Sequence, residues 1–507
     1  MIEAHVQAAK EAMAPDVRAD YPQTAAAGEL WSFVSAFGLA LFYLATSIYI
    51  ASHRLLWIDE IVTVYVARVP HWATIWTALG HAMDSLPPGY YMVVRLFESL
   101  FGRNQIGARL PSALAMAAGL LITFDCARRL TNGLYGLVAF SLLPCSFLPY
   151  FGYEARPYAI YFMFSALALW IWTCTQPDNK RGAILFGITL CLAVTIHYYA
   201  VLILVPYVVW EFYRWRPVRP LSAKLTAGIL GAVVPAVVLS PLILSFAHRF
   251  AANFWARPSL FAPRWVYSEL FPDGLLLLAL AMLWIVLRPS LEAHPEPPQS
   301  AESIGWLFLC VPLVGFALAE VKTHAFLARY FICVLPGVAV ALACWMGRNF
   351  RNNYRVPVGI LLLLVAMGAA KQLQAARHPE AIAPVQPQAK VRQYLRLEDA
   401  LVKDGRKFIV FSNSWVFLES RYYSRHAEEC VFLLDATPTS SSSLGVNLAI
   451  GLAEYYPLHF WRLDKLKEHA RDAALIEPSP GTVEALQQAG FQMQTRFDKP
   501  LEVVYPE

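Results

Sequence analysis

The chain has 507 residues, 57% hydrophobic, 14% aromatic and only 15% charged, with a formal net charge of +5 and a mean hydropathy of +0.45. Soluble domains are roughly a quarter charged, so a water-exposed globular fold is excluded, and nothing points to a nucleic-acid partner. What remains is a polytopic α-helical membrane protein, in which the placement of Lys and Arg says more than their sum.

Residues 1–30 read as a mixed-charge polar tail on the cytoplasmic side. The tail lacks the short basic start and cleavage site of a signal peptide, so the first apolar segment reads as a retained anchor. Apolar runs near the ~20 residues that a crossing helix needs follow at 31–51, 108–127, 134–151, 157–175, 182–197, 198–213, 225–246, 274–288, 303–320, 328–347 and 356–371. That predicts about eleven crossings by windowed apolarity. Charged turns at Arg128-Arg129, Lys180-Arg181, Arg214 to Lys224 and Arg348 to Arg355 fall on one side, which the positive-inside rule makes cytoplasmic. A Pro/Glu-rich stretch at 289–303 reads as a linker on that side.

The stretch 53–107 is too long for a simple turn and reads as interfacial helices on the outer face. Its segment His71-Trp72-Ala73-Thr74-Ile75-Trp76 has the aromatic character of a helix at the headgroups. Seven of the eight cysteines lie in or beside predicted spans, and no CxxC or disulfide framework occurs. Past 378 the apolar runs shorten to strand length, at 407–411, 431–434 and 473–476, with amphipathic stretches such as 414–425 and 482–489 between them. That alternation predicts a small α/β domain over 379–507. An odd number of spans places it outside, and the serine run 440–443 reads as a flexible loop.

Two adjacent acids, Asp59-Glu60, stand just after the first span between apolar flanks. A paired carboxylate at a membrane surface is costly without a partner or a task. We read it as a reaction centre, against the plainer reading of an interfacial pair beside Arg54 or Arg68. Other polar groups converge on the same face by topology alone: Asp84 to Tyr91, Arg95, Arg109, the run Gly152 to Tyr158, His197-Tyr198-Tyr199, and Lys322 to Tyr330. Asp125, inside a span, reads as the neutralising partner of Arg128 or Arg129 one turn away.

In order, Asp59-Glu60, Asp84…Pro87-Pro88-Gly89-Tyr90-Tyr91, Ala108-Arg109-Leu110-Pro111-Ser112, Glu154-Ala155-Arg156-Pro157-Tyr158 and Ala328-Arg329-Tyr330…Leu335-Pro336 make a recognisable set. Over residues 40–345 the chain resembles the C-type membrane glycosyltransferases. The nearest branch is the protein-mannosyltransferase-like family that includes the lipid A aminoarabinose transferases. Any single motif is weak; the ordered set is specific. The resemblance implies transfer of a sugar from a polyprenyl phosphate to a lipid, glycan or protein acceptor on the outer side of the membrane. It makes Asp59 the catalytic acid residue and Arg156 and Arg329 phosphate contacts. Leu86 stands where many relatives carry His before the double proline, which counts against an acceptor or metal role at that position.

Residue chemistry supports the same assignment. A phosphate is already a good leaving group, so the step needs a carboxylate to deprotonate the acceptor hydroxyl and cations to hold the departing charge. Asp59 meets the first need. Arg156 and Arg329 meet the second, because a guanidinium fork matches phosphate oxygens. Glu60 reads as an orienting acid, since consecutive residues on a helix face different points. Asp84, Tyr90, Arg109, Tyr158, His197, His324 and Tyr330 complete the substrate-binding expectation. No DxD or HExxH occurs, so a divalent cation shared by Asp59, Glu60 and Asp84 through oxygen ligands is the one cofactor left open. The competing function is a transporter or lipid flippase, which would carry ionisable groups at mid-span and two related halves.

Overall fold

A computed structural model describes residues 24–176, 178–214, 221–250, 258–272, 300–350, 354–382, 388–434, 444–498 and 501–506. The predicted span 274–288, most of the predicted linker and the serine run lie outside them. The chain is a helical bundle carrying a six-stranded sheet near its carboxyl end.

Among the described residues four helices are long and apolar enough to cross a membrane, Gly28–His53, Gln105–Leu130, Ser300–Thr323 and Arg355–Arg377. A bent pair, Ala223–Val238 and Ser240–His248, makes a fifth if taken as one span, with a 51° turn between its halves. The first described helix covers Thr24–His53, so residues 24–30 of the predicted tail are helical; the rest of that tail lies outside the described residues. Several other predicted spans are interrupted. The α-helix of the run 134–151 ends at Leu142 and is followed by two 3₁₀ segments, Leu143–Cys145 and Leu148–Tyr153, with Pro144 and Pro149 in their first turns. The run 198–213 opens as 3₁₀ helix to Leu204 before the Val205–Arg214 helix. A windowed hydropathy average is blind to these breaks, which come from prolines that lack an amide donor and clash with the preceding turn.

Close helix crossings hold the bundle together. A Cβ on Gly231 would stand 2.1 Å from the Gly187 carbonyl oxygen, so the Ala223–Val238 and Lys180–Ile196 helices touch backbone to backbone, as small residues permit in lipid. Gly89 plays the same part in the Pro87-Pro88-Gly89 motif, where an added Cβ would meet the Thr195 carbonyl at 2.5 Å. Pro88 at the first turn of the Pro88–Phe101 helix gives up an amide that has no intrahelical partner there.

The bundle has two polar ends. At one end Arg128 pairs with Glu29 and Asp125, both at 2.7 Å, Arg129 pairs with Asp125 at 2.6 Å, and Trp170 Nε1 donates to the same aspartate at 2.8 Å. Arg348 meets Glu302 at 2.7 Å, and Lys224 donates to the Trp172 and Thr175 carbonyls. The first helix runs from Glu29 at this end to His53 at the other, on the order of 36 Å at 1.5 Å per residue. The opposite end holds the short helices Ile58–Ala67, Trp72–Gly80 and Pro88–Phe101, where interfacial helices were predicted.

Four parallel strands, β1 (Phe408–Phe411), β2 (Cys430–Leu433), β3 (His459–Trp461) and β4 (Ala473–Ile476), continue into an antiparallel pair, β5 (Met493–Asp498) and β6 (Leu501–Pro506), in the order β3-β2-β1-β4-β6-β5. Strands β1, β2 and β4 match the predicted apolar runs. The other three were missed, because β3 has only three residues and the sequence of β5, with Gln494, Thr495, Arg496 and Asp498, is not an apolar run. The predicted amphipathic stretches are the helices Ser414–Tyr423 and Pro480–Gln488.

This α/β unit rests on the short helices. The Tyr423 hydroxyl accepts from the Leu56 amide at 2.5 Å and donates to its carbonyl at 3.3 Å. Tyr456 donates to the Tyr65 carbonyl at 2.6 Å, and the Tyr65 ring meets Tyr422 and Tyr456 edge-on.

Candidate active site

The Ile58–Ala67 helix starts without a Ser, Thr, Asn or Asp cap; its N-cap is Trp57. Glu60, at the third helical position, turns back instead and accepts the Trp57 amide at 3.1 Å. That is the acidic half of a capping box, and it aims Glu60 inward while its neighbour Asp59 faces outward. Consecutive helical positions diverge by about 100°, so the two acids of the sequence motif belong to different environments.

Glu60 and Arg109 are both fully buried. Arg109 Nε and Nη2 grip the two Glu60 oxygens at 2.7 and 2.6 Å, and the Ala155 amide adds a bond at 2.6 Å. The remaining Arg109 protons go to the carbonyls of Ala51, Arg54 and Leu55 at 2.7–2.9 Å. All five guanidinium donors are therefore used within the protein. Arg109 offers nothing to a substrate, contrary to the sequence expectation. Tyr90 is also fully buried, its hydroxyl 3.4 Å from Ser112 Oγ, and so packs behind the site.

Asp59 retains 29% side-chain exposure and faces two guanidiniums, Arg156 Nη2 at 3.9 Å and Arg329 Nη2 at 4.0 Å. Neither is a close ion pair. Burial lifts the Asp59 carboxyl above the usual carboxylate range, against the opposing pull of Arg156 and Arg329. Arg156, only 5% exposed, is anchored through Nη1 to Asp84 at 3.1 Å, Thr63 Oγ1 at 3.0 Å and the Asp59 carbonyl at 3.2 Å. Arg329 is 23% exposed and lies over the Tyr158 ring, Cζ 5.7 Å from its centroid. The Ala328–Phe331 3₁₀ turn that carries it is far in sequence from Asp59, as the ordered motifs require.

Aromatic rings floor the site. His197 is buried and stacked on Tyr161, 5.1 Å between centroids and 1° between planes, with Tyr158 at 5.6 Å and Tyr330 at 5.4 Å. Its Nδ1 accepts the Tyr199 amide at 3.2 Å, while its buried Nε2 has no partner among the described residues. His324 sits in the left-handed conformation, φ 50°, after the Ala319–Thr323 turn, and no hydrogen bond or ion pair joins it to this group among the described residues.

Among the described residues no three His, Cys, Asp or Glu side chains converge as metal ligands. Glu60 is held by Arg109, and Arg156 already lies between Asp59 and Asp84, so the three acids considered as a shared cation site do not come together.

Glu154 was named in the sequence only as a neighbour of Arg156, yet the two do not pair. It accepts the Trp57 indole N–H at 2.7 Å. Burial first, and the Glu60 charge second, raise its carboxyl to about 7. Glu419, from the α/β unit, was missed altogether. It is buried, accepts the Ile58 amide at the start of the Asp59 helix, and is lifted by burial to about 7. Its only signal was an acid at the middle of the amphipathic stretch 414–425.

Residues 85–244 match the dolichyl-phosphate-mannose-protein mannosyltransferase family. The fold superposes on ArnT from Cupriavidus metallidurans bound to undecaprenyl phosphate with a TM-score of 0.57 at 14% identity, covering 94% of this chain and 97% of that one. The apo form of the same protein gives 0.58, covering 93% and 98%. This chain has the C-type glycosyltransferase fold. The resemblance drawn from the ordered motifs is borne out.

Two relatives extend it in sequence. An undecaprenyl phosphate-alpha-4-amino-4-deoxy-L-arabinose arabinosyl transferase of Pseudomonas aeruginosa is 26% identical over 386 residues, 68% of this chain and 66% of its own length. Transferase 1 of the same description from Pseudomonas fluorescens is 26% identical over 364 residues, 66% of this chain and 61% of its own length. The chain thus spans a little under two thirds of these relatives. Within the C-type fold the family match contains Arg109, Glu154, Arg156, Tyr158 and His197, while Asp59 and Arg329 reach the same site from either side of it.

Proposed function

We propose that the chain transfers a sugar from a polyprenyl-phosphate donor to an acceptor hydroxyl of a lipid, glycan or protein, with inversion and with Asp59 as base. The observation that carries this reading is a part-exposed carboxylate facing two guanidiniums at 3.9 and 4.0 Å. The acceptor oxygen attacks the anomeric carbon and its proton passes to Asp59. The bond from that carbon to the phosphate oxygen breaks, and its electron pair leaves with the polyprenyl phosphate. Arg329, the more exposed cation, contacts the departing phosphate. Arg156, tied to Asp84 and Thr63, sets the local field and the position of Asp59. Glu60 orients the helix and takes no part in the chemistry.

The names of the sequence relatives favour an undecaprenyl-phosphate donor. A transporter or flippase finds no support, because the ionisable groups gather at the two ends of the bundle rather than at mid-span. Proteoliposomes supplied with labelled undecaprenyl- or decaprenyl-phosphate sugars should release polyprenyl phosphate and label an acceptor extract. Movement of the donor across the bilayer without cleavage would overturn the proposal.

We place the site and the α/β unit on the extracytoplasmic side of an inner (plasma) membrane, with the Arg128, Arg129 and Lys180 turns inside. In a cysteine-free background, a cysteine at the exposed position Asp404 should react with an impermeant thiol reagent in intact cells, and one at Lys180 should not. Labelling at Lys180 but not at Asp404 would invert the protein.

Arg329→Gln tests the cation. A charge-assisted hydrogen bond contributes about 1.5–3 kcal/mol, so a loss of roughly tenfold or more in kcat/KM is expected. The acid limb of the pH profile should also move upward. A positive charge 4.0 Å away favours the ionised Asp59; without it the carboxyl, already raised, takes up its proton at still higher pH. An acid limb that stays in place would remove Arg329 from the site.

A further inference from the structure

Four successive backbone amides, Leu55 to Ile58, lead from the first helix into the one that carries Asp59, and none has a helical acceptor. The Trp57 amide goes to Glu60 in the same turn. The other three are taken by side chains of the α/β unit. Gln388 Oε1 accepts Leu55 at 3.2 Å, the Tyr423 hydroxyl accepts Leu56 at 2.5 Å, and the Glu419 carboxyl accepts Ile58. Two carbonyls are held as well: Gln388 Nε2 donates to Leu55 at 3.5 Å and the Tyr423 hydroxyl to Leu56 at 3.3 Å.

Glu419 and Tyr423 stand four positions apart on the Ser414–Tyr423 helix, so one helix face delivers both. Gln388 opens the Gln388–Lys403 helix packed against it. A buried carboxyl is expensive to keep in a packing surface, and this one, 5% exposed, ends on the amide of the residue just before Asp59. The far end of the Asp59 helix is gripped too. Tyr456 donates to the Tyr65 carbonyl at 2.6 Å, and Arg68 Cζ lies 5.8 Å from the centroid of the Tyr422 ring. Asp59 is the second residue of that helix, so a shift of the Leu56–Ile58 backbone carries its carboxylate directly with respect to Arg156 and Arg329.

We propose that the α/β unit is a positioning frame for the base: Gln388, Glu419 and Tyr423 fix the Leu55–Ile58 backbone and thereby the reach of Asp59. The Glu60–Arg109 pair ties the helix into the bundle, and the α/β unit sets where it starts. The proposal rests on the reading of Asp59 as the base.

The test uses the full chain in nanodiscs, loaded with a labelled undecaprenyl-phosphate sugar and given the acceptor extract, with single-turnover rate constant and amplitude read separately. Tyr423→Phe removes one hydroxyl and keeps the ring; Glu419→Leu removes the acceptor of the Ile58 amide. Each should lower the rate constant by roughly ten- to a hundredfold, as small misplacements of a reacting group do, with amplitude and donor binding close to wild type. Glu419→Gln keeps an acceptor oxygen and should recover most of that loss. Tyr423→Phe keeps the test readable if Glu419→Leu fails to fold. A merely structural role would instead lower the amplitude and leave the rate constant of the surviving molecules unchanged, and that result overturns the proposal. A group that acts through Asp59 adds nothing once the base is gone, so Tyr423→Phe should not slow the residual reaction of Asp59→Asn; equal fold losses in both backgrounds also overturn it. Wild-type rates in Tyr423→Phe and Glu419→Leu beside an inactive Asp59→Asn remove the positioning role alone. A wild-type rate in Asp59→Asn removes the base, and the frame with it.

Discussion

Asp59→Asn should collapse turnover while the donor lipid still binds. The substitution keeps the size of the side chain and most of its hydrogen bonding, and removes only the ability to take a proton. General base catalysis contributes a factor of about 100 to 10,000, large enough to read in a membrane assay with a labelled donor. The fold should be nearly indifferent to the change. The Asp59 ion pairs are loose, at 3.9 and 4.0 Å, and its side chain is part exposed, so little stability depends on it. Two readouts separate chemistry from folding: single-turnover rate with bound donor, and the thermal midpoint in nanodiscs. A variant that keeps the wild-type rate would remove Asp59 from the reaction and leave the proposed mechanism without a base. A variant that loses donor binding as completely as turnover would recast Asp59 as a binding residue.

How far this was legible in the sequence depends on the residue. Composition and charged turns suffice for a polytopic helical protein, because transfer to lipid depends on apolar length. They miss where helices break, as at Pro144 and Pro149, since apolarity is averaged over a window and backbone geometry is not. The ordered motifs bring Asp59, Asp84, Arg156 and Arg329 to one place, and the structure joins those four. They mislead for Arg109 and Tyr90. A motif marks a residue as constrained without saying whether the constraint is substrate or fold. The adjacency of Asp59 and Glu60 suggested a pair, and helical geometry splits it. Glu419 and Tyr423 escaped notice because their partners, Ile58 and Leu56, lie more than 350 positions away, and no local pattern encodes such a contact. Arg54 was seen as a partner for the acids; its link through the Tyr150 hydroxyl, which also reaches Glu154, needed coordinates.

Arg109→Met should unfold or severely destabilise the protein, and Glu60→Gln should do the same in milder form. The sequence alone suggested that Glu60→Gln would act on the rate. The structure moves its effect to the fold. Arg109 makes five hydrogen bonds that tie the end of the first helix, through Ala51, Arg54 and Leu55, to Glu60 on the Asp59 helix, and Glu60 in turn holds the Ala155 amide beside Arg156. Removing one partner strands a fully buried charge, which typically costs about 3–5 kcal/mol, together with carbonyls left unsatisfied at the helix end. Glu60→Gln keeps an acceptor for the Ala155 amide but leaves the guanidinium without its counter-charge. The double variant Arg109→Met with Glu60→Met removes both charges and should recover part of the loss, because neither ion then remains buried alone. Thermal midpoints and resistance to proteolysis in nanodiscs measure all three. If the single variants melt within experimental scatter of wild type, the pair does not hold the Asp59 helix in place. Asp59 would then owe its position to the α/β unit, through Glu419 at Ile58 and Tyr423 at Leu56.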